Sequence, residues 1–315
     1  MSTLVRDALS DLLADRPSTR AVIDSVLEAW PEHAGYLQKS LQARTPDMMR
    51  ATEAAAGAVV RLTDGIERQV ADDYRWTCDR LREEELFFHR EGRYRLSTFE
   101  AAMAEVYSDH AYMARYVNGL LLTQVLWFNH VATFEMFLHR VIGAQTKPFD
   151  YLEVGPGHGL AVYFAAASPL SRSLDAWDVS AVSLRETQTA LDKMGVTKPV
   201  SLIEVDILKA GQSARRYDLV VISEVLEHLE RPDQALKFLH TALNDDGRIF
   251  INVPLNSPSP DHIYLLASPD EVTALVEGAG FTVESMELYA TQAKRLEFAL
   301  ANRITVSAGV IAKKA

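Results

Sequence analysis

A glycine-rich turn after residue 153 constrains the fold of this chain more than any other feature of its sequence. A β-rich run, Phe149–Val154, leads into Gly155-Pro156-Gly157-His158-Gly159, with a glycine at every second position. Glycines at this spacing let the chain turn sharply and let a ligand approach the backbone. Asp178 closes the next β-rich run, where a carboxylate can accept both hydroxyls of a ribose. The combination predicts a strand–turn–helix unit that binds an adenosine-bearing cofactor.

A change in hydrophobic period near Lys147-Pro148 divides the chain into two parts. The first part has the period of amphipathic helices, and the second alternates β-rich runs with helical patterns. We expect a helical cap, lid or dimerisation domain over residues 1–146. Residues 147–315 are expected to form a cofactor-binding α/β domain with a Rossmann-like, mostly parallel sheet whose last two strands pair antiparallel. The predicted strands are residues 149–154, 174–178, 200–205, 217–222, 248–253, 282–289 and 304–311.

Two local signals set the expected helix ends in the first part. Thr45-Pro46-Asp47, an N-cap followed by proline, opens a long helical pattern that runs towards Arg90 and is expected to end at Gly92. Ser97 is predicted to cap the next helix, with Glu100 completing a capping box. That second pattern continues to residue 137.

Composition narrows the class of partner and the compartment. The chain has 315 residues and a formal net charge of −11, which would repel a phosphate backbone and favours a small-molecule partner over nucleic acid. The single cysteine, Cys78, fits a reducing cytosol, and its expected role is that of a partly buried small hydrophobe. The N-terminus lacks the apolar run of a secretion signal, and residues 116–144 are too polar for a membrane span. We expect a cytoplasmic protein.

The spacing of the glycines separates two classes of cofactor. A nicotinamide dinucleotide site would have glycines spaced G-x-G-x-x-G, whereas here they are spaced G-x-G-x-G and follow an acidic residue, Glu153. The second half of the chain therefore resembles the class I S-adenosylmethionine-dependent methyltransferases, whose first motif is E/D-x-G-x-G-x-G. The resemblance implies that Gly155 and Gly157 line the methionine portion of S-adenosylmethionine, and that Asp178 holds the ribose.

Further cofactor contacts are implied by the same resemblance. Asp206 with Ile207, after the third strand, would face the adenine, while the alternative for Asp206 is a cap of its own strand end. Glu153 would fix the glycine turn and, through its neighbours, the amino group of the ligand. The complete predicted set for the cofactor is Glu153, Gly155, Gly157, Asp178, Asp206, Ile207, Ser223, Tyr112 and Tyr116.

The segment after the fourth strand, Ser223-Glu224-Val225-Leu226-Glu227-His228, carries the chemistry of a second site. If it turns helically, Glu224, Glu227 and His228 stand on one face at i, i+3 and i+4. His262, in the loop after the fifth strand, is expected to close on the same space. Carboxylates and imidazoles together form a mixed oxygen and nitrogen site that suits a divalent cation.

This E-x-x-E-H segment resembles two metal-dependent branches of the family. One branch is the ubiquinone-biosynthesis O-methyltransferases, and the other is the small-RNA 3'-terminal 2'-O-methyltransferases, in which a D-H pair follows. Carried over by position, the metal ligands would be Glu224, Glu227, His228 and His262. Without a metal, His228 or His262 is a candidate general base, because an imidazole can accept a hydroxyl proton near neutral pH. The alternative is that Glu227 is an ordinary charged residue on the solvent-exposed face of a helix and that His228 packs over the glycine turn.

Aromatic residues with polar tips concentrate at residues 107–116 and 127–130 in the helical part. Tyr112 and Tyr116 are predicted to roof the cofactor or line the acceptor pocket. The alternative is an aromatic helix face that packs against the sheet or against a second copy of the chain.

Together these features predict an S-adenosylmethionine-dependent methyltransferase that acts on a hydroxyl of a small molecule, with or without a divalent cation. Other hypotheses remain open at this point. They are an RNA 2'-O-methyltransferase, an N- or C-methyltransferase of a small molecule, and a non-catalytic partner protein that binds the cofactor.

Overall fold

A computed structural model describes residues 3–315 of the chain, and the contacts within it define two units. The first unit ends at Glu135 and also takes in Ser257–Ile263 and Tyr289–Val306. The second comprises Met136–Asn256, Tyr264–Leu288 and Ser307–Ala315. The predicted domain boundary between residues 146 and 147 stays a prediction. No helix among residues 3–315 combines the length and the apolar character that a membrane span requires.

The first unit is built from helices, as the hydrophobic period predicts. The pattern from Thr45 towards Arg90 is broken at Gly65, whose φ of +78° ends one helix before the next begins. Gly92 ends the second of these helices in the left-handed conformation, and its N–H donates to the carbonyl of Phe88 at 2.8 Å. The α-helices are α1 Thr3–Leu12, α2 Pro17–Ala29, α3 Ala34–Gln42, α4 Pro46–Thr63, α5 Glu67–Glu91, α6 Phe99–Ala102, α7 His110–Leu126 and α8 Phe128–Met136.

The cap of α6 corrects one prediction. Thr98, not Ser97, is the N-cap, and its hydroxyl accepts from the N–H of Ala101 at 3.2 Å. Ser97 and Thr98 are adjacent and both carry a hydroxyl group, so the sequence pattern did not show which of them caps the helix. The helical pattern that follows is also interrupted, because Asp109 caps a new helix, α7, and Trp127 is extended between α7 and α8.

A buried arginine holds the end of α7. The guanidinium of Arg44 donates to the carbonyls of Val125 at 2.9 Å and Leu126 at 3.0 Å, and to the hydroxyls of Thr52 and Ser40 at 2.8 and 2.9 Å. Burial lowers the pKa of Arg44 to about 10. A cation is favourable at the C-terminus of a helix, where the last carbonyls lack partners within the helix. Arg44 therefore stabilises the point at which α7 stops.

The second unit contains a seven-stranded sheet with the strand order β3-β2-β1-β4-β5-β7-β6. Strands β1 to β5 pair in parallel, and the last strands are antiparallel, as the sequence predicts. Every predicted strand is present, with ends that differ by up to five residues. The strands are β1 Phe149–Val154, β2 Ser171–Asp178, β3 Ser201–Glu204, β4 Tyr217–Ser223, β5 Leu243–Leu255, β6 Phe281–Ala290 and β7 Val306–Lys314.

The central strands β1 and β4 form the core of the second unit. Leu152 on β1 and Leu219, Val220 and Val221 on β4 are fully buried, which is typical of a parallel sheet covered on both faces. Because β1 pairs with β4 and β4 with β5, their carboxyl ends lie side by side at one edge. The connecting helices are α9 Leu160–Ala167, α10 Ala181–Met194, α11 Pro232–Ala242, α12 Pro269–Gly278 and α13 Leu296–Ala301, the last of which belongs to the first unit.

Candidate functional site

The glycine turn adopts a backbone that explains its residues. Gly155, Gly157 and Gly159 have φ values of +68°, +50° and +70°, a region that side chains disfavour. The N–H of Gly155 donates to the carbonyl of Trp177 at 2.8 Å, which ties the turn to β2. A Cβ added at Gly155 would stand 2.5 Å from Cγ2 of Val225. The glycine turn and the turn after β4 are thus in contact.

Two further groups hold this turn in place. The hydroxyl of Thr187 on α10 donates to the carbonyl of Gly157 at 2.7 Å. Glu153, at the end of β1, is buried, accepts from the hydroxyl of Tyr151 at 2.8 Å and accepts from the backbone N–H of Val162 on α9. Burial raises the pKa of Glu153 from 4.5 to about 8. Glu153 therefore links the two elements that flank the turn.

The two predicted nucleoside carboxylates lie at the ends of β2 and β3. Asp178 closes β2, its Oδ1 accepts from the N–H of Ser180 at 2.8 Å, and burial raises its pKa. Asp206 accepts from the N–H of Leu208 at 3.0 Å, so the alternative of a strand-end cap describes what its Oδ1 does here. Ile207 beside it is buried. The cofactor roles of these residues stay predictions.

The turn after β4 corrects the predicted helical face. Glu224 has a φ of +54°, and only Leu226–His228 form a turn of 3₁₀-helix, so Glu224, Glu227 and His228 do not share one face of a helix. The side chain of Glu224 nevertheless interacts with those of Asn252 and Glu227. Burial raises the pKa of Glu224 to about 7.

Asn252, at the end of β5, is a site residue that the sequence prediction missed. Its carbonyl accepts from the N–H of Glu224 at 2.8 Å, and its Nδ2 donates to Oγ of Ser223 at 3.0 Å. Its side chain also interacts with the carboxyl group of Glu224 and is buried. The only available signal was its place at the end of the strand that neighbours β4.

Glu227 is buried and lies beside His228. The side chain of Glu227 is 1% exposed, so the hypothesis of a solvated helix charge is wrong. Its carboxylate Oε1 lies 3.9 Å from Nε2 of His228, and its carbonyl accepts from the N–H of Tyr264 at 3.0 Å. A buried carboxylate next to an imidazole is a donor set that suits a proton or a divalent cation.

Three predicted site residues belong to the first unit. His262 is buried, with Nδ1 at 2.7 Å from the carbonyl of Ser257. The Tyr116 side chain is buried, and the half-buried ring of Tyr112 packs edge-on against Trp76 at 4.8 Å. These contacts lie within the helical unit. The predicted places of Tyr112 and Tyr116 at the cofactor, and of His262 in the metal set, stay predictions.

Residues 132–286 match the family model described as a methyltransferase domain. No curated protein sequence matches the chain. Among solved structures, the [4+2]-cyclase SpnF is similar with a TM-score of 0.46 and 16% identity, over 56% of this chain and 78% of that one. A TehB-like SAM-dependent methyltransferase from Corynebacterium glutamicum has a TM-score of 0.42 and 15% identity, over 56% and 87%. The O-methyltransferase of a trans-AT PKS multienzyme from Brevibacillus brevis, in complex with S-adenosyl-L-homocysteine, has a TM-score of 0.45 and 13% identity, over 58% and 72%.

The matched residues include the glycine turn, Asp178 and the turn after β4. The predicted sheet, with its antiparallel last strands, is confirmed, and so is the predicted methyltransferase. The chain therefore contains a class I S-adenosylmethionine-dependent methyltransferase domain.

Proposed function

We propose that the chain transfers a methyl group from S-adenosylmethionine to a hydroxyl oxygen of a small molecule. The observation that carries this proposal is the contact between the turn after β4 and the glycine turn, through Val225 and Gly155. This contact lies in the segment that carries Glu224, Glu227 and His228, next to the glycine turn that is predicted to bind the cofactor. In open α/β sheets, ligands bind at the carboxyl ends of the strands, which is where these side chains stand.

For this reaction the protein must align the two reactants and provide a group that accepts one proton. A carbon–oxygen bond forms to the acceptor as the carbon–sulfur bond breaks, and the electron pair of that bond stays on the sulfur of S-adenosylhomocysteine. The acceptor's hydroxyl proton goes to a base, for which His228 and His262 are the candidates. Holding the oxygen in line with the methyl group supplies much of the acceleration.

A divalent cation is part of this proposal. Glu227 Oε1 and His228 Nε2 lie 3.9 Å apart and offer an oxygen and a nitrogen ligand of the kinds that such ions accept. Glu224 is the second carboxylate of the predicted set. His262 completes the predicted set. A bound cation would lower the pKa of an acceptor hydroxyl. Acceptors with two adjacent oxygens, such as catechols, sugar diols and hydroxy acids, are then favoured because they can chelate the cation.

Charge supports a small acceptor over RNA. The formal net charge of −11 opposes approach of a polyanion, since each phosphate contact needs a cationic partner. Small diols and hydroxy acids depend far less on such contacts.

The test uses S-adenosylmethionine labelled in its methyl group and four acceptor pools: catechols and sugar diols, hydroxy acids, primary amines, and RNA with a free 3'-terminal diol. We expect label only in the first two pools. Glu227→Gln should lower the transfer at least tenfold, whereas Glu230→Gln, at an exposed position of the same segment, should leave it unchanged. Label in the amine or RNA pool alone, or equal activity of the two variants, contradicts the proposal.

The cation is tested separately by calorimetry on chelator-treated protein saturated with S-adenosylhomocysteine. Mg²⁺, Mn²⁺, Fe²⁺ and Zn²⁺ are titrated into the wild type and into His262→Ala. Stoichiometric binding that the variant loses supports the four predicted ligands. Binding to neither protein rejects the cation and leaves the two histidines as candidate bases.

A further inference from the structure

The loop Ser257–Ile263, which follows β5 in the chain, is embedded in the helical unit. Ile263 packs into a core formed by Leu96, Ala102 and Val106. At the other end of the loop, the N–H of Ser257 donates to the hydroxyl of Tyr94 at 3.0 Å. The loop therefore has an apolar anchor at its end and a polar anchor at its beginning.

Between these anchors, three hydroxyl groups surround a buried carboxylate. Asp261 is 5% exposed, and its Oδ1 accepts from Tyr116 at 3.1 Å and from Ser259 at 3.0 Å. Its Oδ2 accepts from Tyr107 at 3.3 Å. The hydroxyl oxygens of Tyr116 and Ser259 are also in contact with each other, so their two protons are shared among three close contacts. Buried polar networks of this kind allow few alternative arrangements, because each broken bond leaves a buried polar group unsatisfied. The network fixes the backbone of the residue that precedes His262.

His262 itself is oriented by its own loop. Its Nδ1 lies 2.7 Å from the carbonyl oxygen of Ser257, and the ring of Tyr94 meets the imidazole edge-on with centroids 5.9 Å apart. A carbonyl oxygen can only accept a hydrogen bond, so Nδ1 must carry the proton. In the neutral imidazole the lone pair is then on Nε2.

We infer that Tyr116, Ser259 and Asp261 are positioning residues that hold His262 as the Nδ1–H tautomer, with Nε2 as its reactive atom. This deepens the proposed function, on which its catalytic consequence rests. Nε2 is then the atom that takes the acceptor's proton or binds the cation. In this arrangement the hydroxyl of Tyr116 stabilises the loop that carries His262.

The tautomer is measured directly by NMR of protein labelled with ¹⁵N-histidine, without substrate. Long-range proton–nitrogen spectra distinguish a protonated nitrogen from one with a lone pair, and His262→Gln assigns the signals. We expect the neutral imidazole of His262 to carry its proton on Nδ1. A proton on Nε2 in the wild type overturns the inference.

Three variants test the network: Tyr116→Phe, Ser259→Ala and Asp261→Asn. With an acceptor identified above, Tyr116→Phe should lower kcat about 10- to 100-fold, as expected when a reacting group is misplaced by about 1 Å. The KM for S-adenosylmethionine should stay within about twofold. The matched control is Tyr36→Phe, a half-buried tyrosine of α3, which should keep the wild-type kcat.

Tyr116→Phe with the wild-type kcat and an unchanged His262 spectrum overturns the inference, and this variant decides the matter if Asp261→Asn fails to fold. The two proposals fail separately. If no oxygen acceptor is methylated, the proposed function is wrong, while the spectrum of the wild type still decides which nitrogen of His262 carries the proton.

Discussion

Gly155→Ala tests whether the close approach of the two turns is as tight as the structure has it. The added methyl group would stand 2.5 Å from Cγ2 of Val225, well inside van der Waals contact. The backbone at Gly155 also has a φ of +68°, which alanine disfavours. Gly157→Ala is a matched control, because Gly157 has a φ of +50° but, apart from its chain neighbours, no atom of residues 3–315 lies within 4 Å of an added Cβ.

The two substitutions differ by the overlap alone. Alanine in the left-handed region costs about 1–2 kcal/mol at either position. The overlap with Val225 adds about 1–3 kcal/mol, the usual range for an overpacked site. We expect Gly155→Ala to lower the free energy of unfolding by about 2–5 kcal/mol and Gly157→Ala by about 1–2 kcal/mol.

Urea unfolding of the cofactor-free protein measures both effects without the contribution of ligand binding. Val225→Ala removes Cγ2, so it should restore part of the stability that Gly155→Ala loses, with a coupling of about 1–2 kcal/mol in a double-mutant cycle. It should not couple to Gly157→Ala. Equal losses for the two glycine variants, or a coupling near zero at Gly155, would refute the reasoning.

Three further predictions concern stability. Since burial raises the pKa of Glu153 from 4.5 to about 8, the folded state keeps a proton there that the unfolded state loses, and stability falls as pH rises between those values. Glu153→Gln should flatten this part of the pH profile in urea unfolding, and identical profiles would contradict it. Arg44→Met should lower the free energy of unfolding by about 3 kcal/mol, because two helix-end carbonyls lose their buried donor, while the exposed Lys39→Met should change it by less than about 0.5. Thr98→Ala should cost about 1 kcal/mol and Ser97→Ala nearly nothing by the same measurement, and the reverse order would show that Ser97 is the cap.

Local patterns predict the elements of this protein well because their causes are local. The run Phe149–Val154 and the three glycines after it are a strand and a turn in the structure, since β-rich residues and left-handed glycines act within a few positions. Gly92 ends α5 for the same reason. Neighbouring choices are less secure, as the cap at Thr98 in place of Ser97 shows.

The turn after β4 could not be predicted in this way. Its E-x-x-E-H letters suggest a helical face, yet Glu224 adopts a φ of +54° and its N–H donates to the carbonyl of Asn252 on the neighbouring strand. That partner is 28 residues away in the chain and becomes a neighbour only when β4 and β5 pair. For the same reason Asn252 was missed.

Residue type and short spacing were enough to predict the strands, the glycine turn and the carboxylate at the end of β2. Tertiary structure decided which groups meet. Burial raises the pKa of Glu153, the proximity of Val225 leaves little room for a Cβ at Gly155, and a network of hydroxyls around Asp261 holds the loop of His262. These outcomes depend on desolvation and on contacts between residues far apart in the chain, which short-range patterns do not contain.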